Sequence, residues 1–144
     1  MQKILILNGP NLNMLGSRQP EIYGYDTLAD VEAQCEETGV ALSVEIDFRQ
    51  SNHEGELITW IQEARTGMAG IIINPGAYSH NSIAIMDALF GIDIPVIEVH
   101  ISNIFKRETF RHHSYISMAS QGVICGLGTA GYQYALQAMA ELIL

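Results

Sequence analysis

Apolar runs recur along the chain at residues 4–7, 42–48, 70–73, 96–99 and 123–125, and their β-branched content favours strand. The first, third and fourth are apolar but for Glu98, which suits strands covered on both faces of a parallel sheet. Helix-like stretches separate them. One spans 27–40, after a turn at Tyr25-Asp26, with Asp26 or Thr27 as its cap; Gly39 is either its C-terminal cap or an interior glycine. Ser51-Asn52-His53-Glu54 has the S-x-x-E spacing of a capping box, ahead of a stripe of Leu57, Trp60, Ile61 and Ala64. Further helices are expected over 79–90 and 129–144. Strands alternating with helices predict a doubly wound α/β domain.

Composition narrows the partners. The 144 residues suffice for one domain, and a 48% apolar fraction supports a core. Seven Lys and Arg against 16 Asp and Glu leave a net charge of −9, which argues against nucleic acid and anionic membranes. No apolar run approaches the roughly 20 residues needed to span a bilayer, and the N-terminus enters an apolar strand without a cleavable signal. Cys35 and Cys125 form no CxxC and fit a reducing cytosol, so the chain is expected to be cytoplasmic.

In open α/β sheets ligands bind beyond the carboxyl ends of the strands. Those ends here are Asn8-Gly9-Pro10-Asn11, Arg49-Gln50-Ser51-Asn52, Asn74-Pro75-Gly76-Ala77 and His100-Ile101-Ser102-Asn103. Each segment alone is ordinary turn chemistry; four together predict a polar crevice. Arg18, Lys106, Arg107 and Arg111 gather near the same edge, as binding of a small carboxylate or phosphate would require. Residues 16–25, with Gly16 and Gly24 near the ends, read as a lid over the first strand. Arg18 and Tyr23 lie within it, and a nearby guanidinium favours a phenolate, which can act as a base. Alternate strand residues share a face, so Glu98 and His100 point the same way, a pairing suited to a general acid or to a structural hydrogen bond.

Other patterns carry less. Residues 126–131 match G-x-G-x-x-G, but no strand and acidic residue follow as a dinucleotide site requires, so these glycines are read as tight strand-to-helix packing. The five histidines include no H-x-x-x-H or H-E-x-x-H pair, which weighs against a metal site. A binding module for flavin or sugar phosphate would share the crevice. A hydrolase using Ser102 or Ser114 with His100 would lack the G-x-S-x-G elbow.

The ordered motifs nevertheless resemble one family, type II 3-dehydroquinate dehydratase. They are Asn8-Gly9-Pro10-Asn11-Leu12-Asn13, Gly16-Ser17-Arg18-Gln19-Pro20 and Tyr23-Gly24. Gln50-Ser51-Asn52-His53-Glu54-Gly55, Asn74-Pro75-Gly76-Ala77-Tyr78-Ser79-His80 and Glu98-Val99-His100-Ile101-Ser102-Asn103 follow. Arg107-Glu108, Phe110-Arg111-His112-His113-Ser114, Gly126-Leu127-Gly128 and Gly131-Tyr132 complete the set. Met86, Ser79 and Asn81 depart from the usual pattern.

The resemblance implies a flavodoxin-like, five-stranded parallel sheet in a three-layer α/β/α arrangement, with residues 1–144 forming a single catalytic domain. It implies a homododecamer built as a tetramer of trimers. The implied reaction is dehydration of 3-dehydroquinate to 3-dehydroshikimate through an enolate, without metal or organic cofactor, in aromatic biosynthesis or quinate breakdown. Tyr23 would remove the proton alpha to the ketone, supported by Arg18. His100 would protonate the leaving hydroxyl, with Glu98 positioning it, and Asn11 would orient a water on the enolate oxygen. Asn74, His80, Ile101, Ser102 and Arg111 would bind substrate, and Asp87 would reach a neighbouring subunit's site.

Overall fold

The computed structural model describes residues 1–17 and 19–144. Its strands are β1 (Lys3–Asn8), β2 (Glu45–Gln50), β3 (Gly70–Asn74), β4 (Val96–His100) and β5 (Gly122–Cys125). Its α-helices are α1 (Pro20–Tyr23), α2 (Leu28–Leu42), α3 (Glu54–Ala64), α4 (Ile83–Phe90) and α5 (Ala130–Ile143). The strands form one sheet in the order β2-β1-β3-β4-β5, parallel throughout, which is the flavodoxin-like order.

Burial explains the layering. Every residue of β3 and β4 is buried, as are five of the six in β1, whereas edge strands β2 and β5 remain half-open. One face carries Ile4, Ile6, Ile72, Ile97 and Val99 into a core with Val31, Leu136 and Met139 of α2 and α5. The other carries Leu5, Leu7, Ile71, Ile73 and Val96 against Leu57 and Ile61 of α3 and Ile85 and Leu89 of α4. Alternation sends neighbouring residues to opposite cores, so a continuous apolar run is what a central parallel strand requires.

Several boundaries shift. Helix α2 continues through Gly39 to Leu42, so the second strand begins at Glu45 instead of 42, and Ser43, with φ 60°, closes the helix. Gly39 is interior because a Cβ there would stand 2.7 Å from Ile46 Cγ1, where helix and strand touch. Thr27 is the cap: its hydroxyl accepts from the Asp30 N–H while Asp30 accepts from the Thr27 N–H. The S-x-x-E motif does not box α3. His53 occupies the cap, Ser51 Oγ accepts from the His53 N–H, and Glu54 instead accepts from Ser82 Oγ at 2.5 Å. The expected helix at 79–90 splits into a 3-10 turn, Gly76–His80, and α4, capped by Ser82. In the G-x-G-x-x-G segment the tight approach lies at Gly126, whose Cβ would meet Asn103 Cβ at 2.9 Å, and not at the helix, where Gly131 leaves ordinary 3.5 Å contacts. Among the described residues, no helix is long and apolar enough to cross a membrane.

Candidate active site

The carboxyl ends of β1, β3 and β4 converge because the parallel register sets Asn8 beside Asn74 and brings His100 to the same edge. Their turns pack closely. Gly9 donates its N–H to the Asn74 carbonyl at 2.8 Å, and a Cβ at Gly9 would lie 2.3 Å from Pro75 O. Neither backbone can retreat without breaking the sheet edge. Gly9→Ala is therefore expected to destabilise the chain by about 1–3 kcal/mol, the usual cost of overpacking, measured by urea denaturation.

A cavity of about 190 Å³ opens between these turns. That is below the roughly 300–1,000 Å³ of drug-sized sites and suits one small molecule. Asn11, Tyr23, Asn74 and His80 line it, together with His100, Ile101, Ser102 and Arg111. These eight, drawn from five separate segments, are the residues that the sequence motifs nominate as catalytic or substrate-binding. Three others fall elsewhere. Glu98 lies buried beneath His100; Asp87 is exposed on α4 and does not line this cavity. Arg18 lies outside the described residues.

The residue whose importance the sequence left unassigned is Arg107. Its Nη1 donates to Tyr23 Oη at 2.8 Å and approaches Ser102 Oγ at 3.4 Å, with the guanidinium carbon 5.5 Å from the Tyr23 ring centroid. Arg107 thus presents its positive charge directly to the phenol oxygen. The short helix α1 carries Tyr23 to this position from within the segment read as a lid, which is helical at Pro20–Tyr23 instead of a plain loop. The cation cluster after β4 was the available signal; which cation meets the phenol depends on a contact across 84 residues.

His100 Nε2 is hydrogen-bonded to Glu98 Oε2, as the shared strand face requires. Glu98 is fully buried. Burial pushes its carboxyl up, but hydrogen bonding to His100, the charge of His100, and the hydroxyls of Ser117 and Ser114 hold it below the ordinary value of 4.5. A carboxyl lowered by folding stabilises the fold fully above the unfolded value, and that contribution is lost as pH falls through the folded value. Denaturation from neutral to acid pH should therefore show wild-type stability falling on the acid side of 4.5, with a smaller loss in Glu98→Gln.

The remaining polar groups are ordered from behind. Asn11 has φ 69°, and its N–H donates to Asn52 Oδ1 at 3.0 Å. Gln50 Nε2 reaches both Asn52 Oδ1 and the Gly9 carbonyl at 3.2 Å. Asn74 Nδ2 donates to Tyr132 Oη at 2.9 Å, Tyr132 donates on to Asn8 Oδ1 at 2.6 Å, and Asn74 Oδ1 accepts from the Gly76 N–H. Tyr132 is fully buried, and burial pushes its phenol up, so it serves as a neutral donor and acceptor. His80 Nδ1 lies 2.9 Å from the His113 carbonyl, and burial lowers its imidazole from 6.5 despite that bond. Among the described residues, no cluster of His, Cys, Asp or Glu could hold a metal ion.

Fold and site together define an α/β protein whose strand-end cavity pairs a guanidinium-held phenol with a carboxylate-held imidazole. The profile of the family described as dehydroquinase class II matches residues 2–140. A 3-dehydroquinate dehydratase of Streptomyces avermitilis is 63% identical over 140 residues, covering 96% of this chain and 88% of that protein. A 3-dehydroquinate dehydratase 2 of Agrobacterium fabrum is 62% identical over 142 residues, covering 99% and 97%. The crystal structure of type II dehydroquinase from Propionibacterium acnes superposes with a TM-score of 0.95 at 47% identity, covering 98% of this chain and 97% of that one. The chain belongs to the class II dehydroquinase family.

Proposed function

We propose that the chain is a hydro-lyase converting 3-dehydroquinate to 3-dehydroshikimate by anti elimination through an enolate. The observation that carries this reading is the Arg107–Tyr23 contact in the same cavity as the Glu98–His100 pair. Loss of water from a β-hydroxyketone needs a base for an acidic carbon, a site for enolate charge and an acid for the departing oxygen. Tyr23, as phenolate, takes the proton alpha to the ketone, and the C–H electrons pass into the enolate. The enolate then re-forms the ketone and expels the β-hydroxyl, which leaves as water with a proton from His100. Asn11 orients a water on the enolate oxygen. Arg111, Asn74, His80, Ile101 and Ser102 hold the carboxylate and hydroxyls of the substrate. Residues 1–144 act as one catalytic domain, with 16–25 as its lid and Arg18 in the supporting role that the family resemblance gives it.

In this reading the subunits form a homododecamer, a tetramer of trimers, in which Asp87 reaches a neighbour's site. Exposed Phe105, Phe110, Leu127 and Val123, the last on the open edge strand β5, support such burial between copies. The reaction belongs in the cytoplasm, in aromatic biosynthesis or quinate breakdown. The test is to add 3-dehydroquinate in the presence of chelator and follow ultraviolet absorption of the conjugated enone. A steady rise is expected; a flat trace from folded protein overturns the reading. Light scattering reads the assembly.

A further inference from the structure

Glu98 is held by more than His100. Its Oε2 accepts from His100 Nε2 and from Ser114 Oγ at 2.7 Å, and its Oε1 accepts from Ser117 Oγ at 2.5 Å. Both serines come from the irregular segment between β4 and β5, where the 3-10 turn Ile116–Ala119 follows Ser114. Ser114 is itself buried, and its oxygen accepts the Ser117 N–H at 3.4 Å. An ionised carboxylate can only accept, so each serine must spend its single hydroxyl proton on Glu98. Three donors converging from two chain segments leave the carboxylate one orientation. We propose that Ser117 and Ser114 are positioning residues for the elimination, locking the Glu98 carboxylate so that it holds the His100 ring at the cavity. This rests on the dehydration reading above.

Among the described residues, the side chains hydrogen-bonded to Glu98 are His100, Ser114 and Ser117. The strand neighbours of Glu98 in register are Ile73 on β3 and Val123 on β5. Helix α4 turns Ile85 and Leu89 inward, with Asp87 exposed. Among the described residues, the titratable groups nearby include His80, which feels the charges of Glu98 and His100, Arg111, which acts on the same His80, and Cys125, opposite His100 in register. With the hydroxyls removed, a fully buried carboxylate loses two of its three donors. It is then stabilised less as an anion and draws the shared proton from the imidazole, so the acid for the leaving hydroxyl is depleted.

The test uses the full chain with Ser117→Ala, Ser114→Ala, the double variant and Ser117→Thr, which keeps a hydroxyl. The double variant should lose about tenfold or more in kcat with KM within about twofold, and Ser117→Thr should stay near wild type. Carbon-13 NMR of the Glu98 carboxyl should show its titration moving to higher pH in the alanine variants and not in Ser117→Thr. Should the double variant fail to fold, Ser117→Ala carries the same two readings, since Ser117 is only partly buried. Folded variants with unchanged kcat and an unmoved Glu98 titration overturn the proposal. An inactive wild type would instead overturn the dehydration reading, while the carboxyl titration would still decide whether the serines lock Glu98.

Discussion

Tyr23→Phe is expected to lower kcat by roughly 10³–10⁴, with KM for 3-dehydroquinate changed only a few-fold. The variant keeps the ring and its packing against the core, and removes only the oxygen that Arg107 Nη1 contacts at 2.8 Å. A positioned base contributes typically 10²–10⁴ to a rate, and a carbon that is only weakly acidic even alpha to a ketone places this base at the upper end. Binding is spared because the substrate-facing amides, imidazoles and Arg111 remain in place. Steady-state kinetics on the enone signal measure both parameters. Near-normal kcat in Tyr23→Phe would remove the phenol from the chemistry and with it the assignment of the base.

Arg107→Ala should cost about 10²–10³ in kcat, the scale of losing one preorganised charge-stabilising donor. Arg107 is largely buried, with 16% of its side chain exposed, so little water stands ready to replace the guanidinium at the phenolate. Arg107→Lys should recover only part of the loss. A lysine ammonium could donate to the same oxygens, but it is a point charge and cannot present a planar guanidinium 5.5 Å from the Tyr23 ring centroid. The family resemblance gives the same supporting role to Arg18, so Arg18→Ala belongs in the same series. If Arg107→Ala left kcat intact while Arg18→Ala abolished it, the contact between Arg107 and Tyr23 would be a feature of the resting enzyme alone.

Much of this protein is written locally. The apolar runs of β1, β3 and β4 admit only strands covered on both faces, because a half-solvated strand would alternate. The pair Glu98 and His100 follows from the two-residue repeat of a strand, whatever the rest of the chain does. The order of the polar strand ends, and their match to a known family, nominates the cavity residues. Where local rules failed, competing contacts decided. Gly39 stays inside α2 because Ile46 presses against it, and Ser51 caps nothing because Glu54 bonds to Ser82. What only the tertiary structure determined is which of several chemically equivalent groups meet. Arg107 reaches Tyr23, Ser114 and Ser117 converge on Glu98, and Tyr132 supports Asn74 from a helix 58 residues away. Those pairings depend on strand order and loop paths, which bring distant segments within 3 Å, and no periodicity along the chain encodes a distance across it.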